Sequence, residues 1–286
     1  MAIATRRIHA NGFDFAVDEA GEGGRLALCL HGFPESRFSW RHQLPLLEQM
    51  GYRAWAPDLR GYGETEPKPQ DVASYRIERL MEDVAALIDA SGAREVTLIG
   101  HDWGAGLAWT FAANRIRPLE RLVIMNVPHP AVFAATLRRS PRQMLRSWYM
   151  AAFQIPGLPE RLSTGGDAAL VRRAFLGMAI DKSRFPPQVL DRYAADAQRP
   201  GAMTAMVNWY RAAARHPGAL AGPWRTIETP TLVIWGEADT ALGLELLDGT
   251  DAYVRHLTIK RLPNVSHWVQ QEAPEAVNAI LKDWLA

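Results

Sequence analysis

Cysteine is almost missing from this 286-residue chain: Cys29 stands alone, inside the apolar run of residues 26–30. One thiol excludes an internal disulfide and cannot build a zinc cluster by itself, and it reads as a small buried strand residue. Charge of one sign is missing as well, with 32 Lys and Arg against 31 Asp and Glu. Nothing global therefore favours nucleic acid or a membrane as partner, and a substrate must be held by local pocket chemistry. No apolar run reaches membrane-spanning length, and the first residues lack the apolar core of a secretory signal, so the expected location is the cytoplasm. Phosphate-loop spacing is absent too: the glycine-rich stretches at residues 21–24 and 60–65 read as turns. What is present is an apolar fraction of 48%, ample for a sizeable core.

That apolar content is organised. Asn11-Gly12 between residues 7–10 and 13–18 is the preferred two-residue hairpin turn, since both positions tolerate positive φ. Residues 26–30, 52–58, 95–102 and 121–127 are short apolar runs of the kind found in strands buried on both faces. Residues 75–90, between the second and third of these runs, carry a helical stripe through Leu80, Val84 and Leu87. From residue 129 to 217 the strand rhythm stops, and Arg- and Ala-rich helical stretches are broken by Pro141, Pro156, Pro159 and Pro186-Pro187. Strands resume at 229–239 and 255–262, and a last helix spans 274–285. Alternating strands and helices predict a mostly parallel sheet with right-handed crossovers. The domain expectation is a core of residues 1–128 and 218–286, with a helical cap of 129–217 inserted after the sixth strand.

The densest chemistry lies in residues 96–112, VTLIGHDWGAGLAWTFA. An apolar strand runs into Gly100-His101-Asp102-Trp103-Gly104 and then a helix, the small-x-nucleophile-x-small pattern of a nucleophile elbow with Asp in the central place. A turn this tight lifts the central side chain off the sheet at a helix amino end, where a carboxylate is stabilised. The plainer reading is Asp102 as a helix N-cap. Serine at such an elbow attacks acyl carbon, whereas a carboxylate displaces a leaving group from saturated carbon and becomes an ester that water must cleave. That chemistry suits an epoxide or a carbon–halogen bond.

Cleaving the ester needs a histidine. Of eight, His9, His42, His216 and His256 fall in surface segments, His31 and His129 in loop-shaping positions, and His101 on the wrong side of the backbone from its neighbour. His267 follows the last strand, as the order nucleophile, acid, histidine requires. The favoured acid is Asp239, just past residues 232–235; Glu237 and the strand end at Asn126 are rivals. Backbone N–H groups of Trp103 and of Phe33, in the HGFPES loop of residues 31–36, are the expected oxyanion hole.

These segments, with APDLRGYGET, NVPHP, VNWYRA, GEADTAL and NVSHWVQQEAPEAVN, resemble the epoxide hydrolase branch of the α/β-hydrolase superfamily along most of the chain. The resemblance implies an α/β-hydrolase fold with a mostly parallel eight-stranded sheet, flanking helices and a helical cap. It implies an enzyme that converts a small apolar epoxide to a vicinal diol with no metal or organic cofactor. Two cap tyrosines that hold and protonate the epoxide oxygen map onto Tyr149, in SWYMAAFQIPG, and Tyr210, in VNWYRA. Trp148, Met150, Phe153 and Trp209 are candidate pocket walls. Haloalkane and fluoroacetate dehalogenases share the Asp elbow, but many of the former have Asn where Phe33 stands, and the latter carry Arg where Trp103 stands. A hydrolase fold that only binds a small ligand is the remaining alternative. Monomer and homodimer stay open.

Overall fold

In a computed structural model, residues 3–286 are described. Eight strands, β1 (Ala4–Ala10), β2 (Phe13–Ala20), β3 (Arg25–Leu30), β4 (Arg53–Pro57), β5 (Glu95–His101), β6 (Arg121–Met125), β7 (Thr231–Gly236) and β8 (Leu257–Leu262), form one sheet in the order β1-β2-β4-β3-β5-β6-β7-β8. The β1–β2 and β2–β4 pairings are antiparallel and the rest parallel. The opening hairpin turns at Asn11 and Gly12, both at positive φ, as the Asn-Gly pair predicts.

The apolar runs are strands because both sheet faces are covered. Along β3, Leu26, Leu28 and Leu30 enter one core cluster, while Ala27 and Cys29 enter the other. This is the two-residue period of a pleated strand. Burial pushes the Cys29 thiol far above its usual range, which fits a packing role. The helix Ile77–Ser91 buries Leu80, Val84 and Leu87 on one side of the sheet, and Pro274–Leu285 buries Val277 and Leu281 on the other.

Between β6 and β7 the described residues form no strand. Six helices follow one another there: Pro130–Arg139, Pro141–Arg146, Trp148–Ala152, Leu158–Met178, Pro187–Gln198 and Ala202–Arg215. Of the prolines that interrupt the sequence pattern, Pro141, Pro159 and Pro187 occupy first-turn positions of helices, where a missing N–H costs nothing, as does Pro130, while Pro156 lies in a bend between two helices. The helix Leu158–Met178 is kinked across residues 165–168. Among the described residues no helix is long and apolar enough to cross a membrane.

The topology fixes where a ligand can sit. After β3 the chain moves to one side of the sheet, to β4, and after β5 to the other, to β6. The loops beyond the carboxyl ends of β3 and β5 therefore part and leave a crevice.

Candidate active site

Both loops at that crevice carry predicted residues. Asp102 follows β5 directly, at φ 48° and ψ −124°, a conformation non-glycine residues rarely adopt. The turn is so tight that a Cβ at Gly104 would collide with the Leu30 carbonyl oxygen, and one at Gly32 would occupy the place of the Asp102 side chain. Asp102 is not a side-chain cap: it makes no capping hydrogen bond, and only its backbone oxygen takes part, accepting from Ala105 and Gly106 N–H. Its Oδ1 accepts from the Phe33 N–H at 2.6 Å, so the loop after β3 donates to the residue after β5. Trp103 opens the helix Trp103–Ala113, so its N–H belongs to the first turn, which has no intrahelical acceptor.

His267 and Asp239 meet Asp102 from the loops after β8 and β7. Nδ1 of His267 lies 2.7 Å from Asp239 Oδ2, and Nε2 lies 3.6 Å from Asp102 Oδ2. Burial alone would lower the His267 pKa; the Asp239 and Asp102 carboxylates outweigh it and raise the value to about 10. Burial works against ionising Asp102 and Asp239 too, but contacts with His267 hold both carboxyls below their usual range. Asp239 is fixed by three further donors: the Ala241 and Leu242 N–H groups on Oδ1, and Asn126 Nδ2 at 2.8 Å on Oδ2. Glu237, its sequence rival, points outward to Arg261 at 2.8 Å.

Asn126 belongs to this arrangement as a support. It sits at positive φ past the end of β6, accepts from the Gly236 N–H and donates to Asp239. His101 is the residue that sequence reasoning passed over. It faces away from the cavity, as expected, but spans from Glu35 Oε2 at 2.7 Å to the backbone oxygen of His267 at 2.8 Å. Glu35 also accepts from the Gly32 N–H and from the Gln270 and Gln271 amides, and although burial opposes it, His101 above all, with His31 and the Gly32 N–H, holds its carboxyl below the usual range. The elbow, the loop after β3 and the loop of His267 are thereby cross-tied behind the cavity. Nothing in residue spacing announces this, because positions 35, 101 and 270 are brought together by the sheet. His31 and His129 shape loops: His31 Nε2 accepts from the Leu59 N–H, and His129 accepts from the Ala131 N–H at a helix start.

Across the crevice stand Tyr149, on the helix Trp148–Ala152, and Tyr210, on Ala202–Arg215. Their ring centroids are 6.0 Å apart, and Tyr210 packs edge-on against Phe33 at 5.4 Å and Trp103 at 4.9 Å. Burial, and then the Asp102 charge, push both phenols well above their ordinary pKa, so both are neutral donors. Two cavities meet at this point. One, of about 470 Å³, is walled by Phe133, Met150 and Leu242; the other, of about 390 Å³, by Phe33, Trp148, Phe153 and His267. Asp102, Tyr149 and Tyr210 line both. Trp209 lines neither, which corrects the sequence expectation. Adjacent helical residues point about 100° apart; Tyr210 takes the cavity face, and Trp209 is buried with its indole N–H on the Arg60 oxygen. Among the described residues no cluster of His, Cys, Asp or Glu could hold a metal ion.

A family model described as the alpha/beta hydrolase fold matches residues 28–274 of this chain. The chain belongs to the α/β-hydrolase family. Among its relatives in that family is the AB hydrolase superfamily protein YfhM of Bacillus subtilis, 36% identical over 97% of this chain and 96% of that protein. Epoxide hydrolase A of Mycobacterium tuberculosis is 32% identical, covering 99% of this chain and 98% of its own. The crystal structure of a Bacillus megaterium epoxide hydrolase bound to an inhibitor superposes with a TM-score of 0.89 at 30% identity, over 98% of this chain and 99% of that one.

Proposed function

We propose that this chain is an epoxide hydrolase that works through a covalent ester on Asp102, with the helical insertion as its cap. The observation that carries the reading is the convergence of two neutral phenols over an ionised carboxylate that is not used as a cap. A halide leaves without a proton. An epoxide oxygen becomes a basic alkoxide and needs a donor, so paired tyrosines suit an oxygen leaving group.

In this scheme Asp102 Oδ2 attacks an epoxide carbon and the carbon–oxygen bond opens toward Tyr149 and Tyr210, one of which protonates the oxygen. Oδ1 stays on the Phe33 N–H and becomes the ester carbonyl oxygen. Ester formation removes the Asp102 charge, one of the two that hold the His267 pKa up. The imidazole is then more readily neutral and can take a proton from water, with Asp239 fixing its orientation. Water attacks the ester carbonyl carbon, and the Phe33 and Trp103 N–H groups hold the resulting oxyanion. Collapse breaks the bond to the alkoxide, which takes the proton from His267 and departs as the diol; the acid proton left on Asp102 returns to the phenolate of the tyrosine that protonated the epoxide, restoring both groups. The substrate is a small apolar epoxide, in keeping with the cavity walls.

Replacing His267 by Gln should leave alkylation intact and stop the second stage. Mixed with styrene oxide, His267→Gln is expected to gain the mass of the epoxide on the peptide that contains Asp102. Wild-type enzyme that releases bromide from 1-bromobutane but forms no diol from styrene oxide would reverse the choice between epoxide and halide. Bound substrate with no adduct in the variant would overturn the covalent scheme.

A further inference from the structure

The helical insertion differs from the rest of the chain in its charge. Against an overall near balance, residues 138–173 hold seven arginines and two acids. Both acids are already engaged, Glu160 with Arg211 and Asp167 with Arg172. Arg142 and Arg173 are exposed and have no carboxylate partner among the described residues. The same segments carry exposed apolar side chains: Leu145 is 74% exposed, Trp148 68% and Leu170 40%. Arg142 and Leu145 share one helical face at i, i+3 spacing, and Leu170 and Arg173 repeat that spacing on the kinked helix. Trp148 and Leu170, both exposed, also line the cavity that contains His267, so part of this apolar surface forms a rim of that cavity.

The combination narrows what can cover it. A second copy meeting this face across a two-fold axis would bring unpaired arginines toward one another. A nucleic acid would satisfy the arginines and leave Leu145, Trp148 and Leu170 in water. A bilayer with anionic headgroups satisfies both: tryptophan suits the headgroup level, leucines enter the acyl boundary, and arginine stems lie along apolar surface with their heads on phosphate. We propose that the rim formed by Leu145, Trp148 and Leu170, with Arg142 and Arg173, is a peripheral docking surface for anionic phospholipid membranes. Through it an apolar substrate enters the cavity from the lipid without crossing bulk water. Surface docking needs no spanning helix. The docking stands apart from the chemistry; that the delivered substrate is an epoxide rests on the function proposed above.

Co-sedimentation of the full chain with phosphatidylcholine vesicles, with and without phosphatidylglycerol, tests this. Binding is expected to be roughly tenfold tighter to the anionic vesicles and to weaken as salt is raised. Arg142→Glu and Leu145→Glu, neither of which touches the reacting groups, should each reduce it by about an order of magnitude. A thermal melt of each variant matching the wild type shows that the fold is intact, and the exposed arginine variant keeps the test valid should the leucine variant unfold. Equal or absent binding to the two vesicle types overturns the proposal, as does binding unchanged in both variants. Concentration-dependent self-association that Leu145→Glu abolishes, without vesicle affinity, assigns the face to a second copy and also overturns it. Binding is read without substrate, so it is independent of turnover; diol formation from a water-soluble epoxide is read without vesicles.

Discussion

On the sheet side of the cavity, carboxylates are held by full sets of donors. Asp239 accepts from His267, Asn126 and two backbone N–H groups, and Glu35 from His101, Gln270, Gln271 and the Gly32 N–H. On the helical side, the groups facing Asp102 are rings: Tyr149, Phe153 and Tyr210 pack edge to face at 4.8 to 6.0 Å. The first side holds charge in fixed places and tolerates little change. The second offers shape and two neutral phenols, and several of its residues face solvent. Placing the charged groups on strand ends and the shaping groups on helices lets walls vary without disturbing the reacting atoms.

The comparison breaks most plainly at Asp102. Asp102→Ala should lower diol formation by about four orders of magnitude or more, since in the proposed scheme no other group forms the ester; residual turnover near that of wild type in a steady-state assay would remove the sheet side from the chemistry. Next in size is the double variant Tyr149→Phe, Tyr210→Phe, expected to lose about a hundredfold to ten-thousandfold in the rate of alkylation while keeping substrate binding. A loss confined to KM in stopped-flow measurements would reduce the helical side to shape alone. Asn126→Ala leaves Asp239 one donor short and should slow hydrolysis of the ester by about ten- to a hundredfold, with adduct accumulating by mass spectrometry and alkylation unchanged.

The smallest effect is on stability. The His267 pKa is raised in the folded state to about 10 from 6.5. Its ion pairs therefore contribute fully below pH 6.5, and the contribution is lost as pH rises from there through about 10. Urea midpoints should fall over that window more steeply for the wild type than for His267→Gln. Parallel curves would mean that the two carboxylates do not hold the imidazolium.

The same division governs what could be read in advance. The strands were legible because burial on both faces leaves an uninterrupted apolar run, and the elbow because its glycines are demanded by backbone contacts. Asp102, Asp239 and His267 follow from chain order, since each sits on a loop at the end of a strand. The supports were illegible: Glu35 and His101 are 66 residues apart and share no pattern, only adjacent strands. On the helical side, Tyr210 and its neighbour Trp209 look equally suited to a pocket wall, and only the helix rotation separates them. The balance of charge in the whole chain also concealed the arginine excess of residues 138–173.

The two cavities share only Asp102 and the paired phenols, and this has a practical consequence for redesign. A molecule whose three-membered ring sits at the junction projects one substituent into each chamber. Saturation libraries at Phe133 and Met150 would reshape the room for one substituent, and libraries at Trp148 and Phe153 the room for the other. Regio- and enantiopreference could then be adjusted in two separate searches and combined afterwards, while position 32 stays glycine throughout.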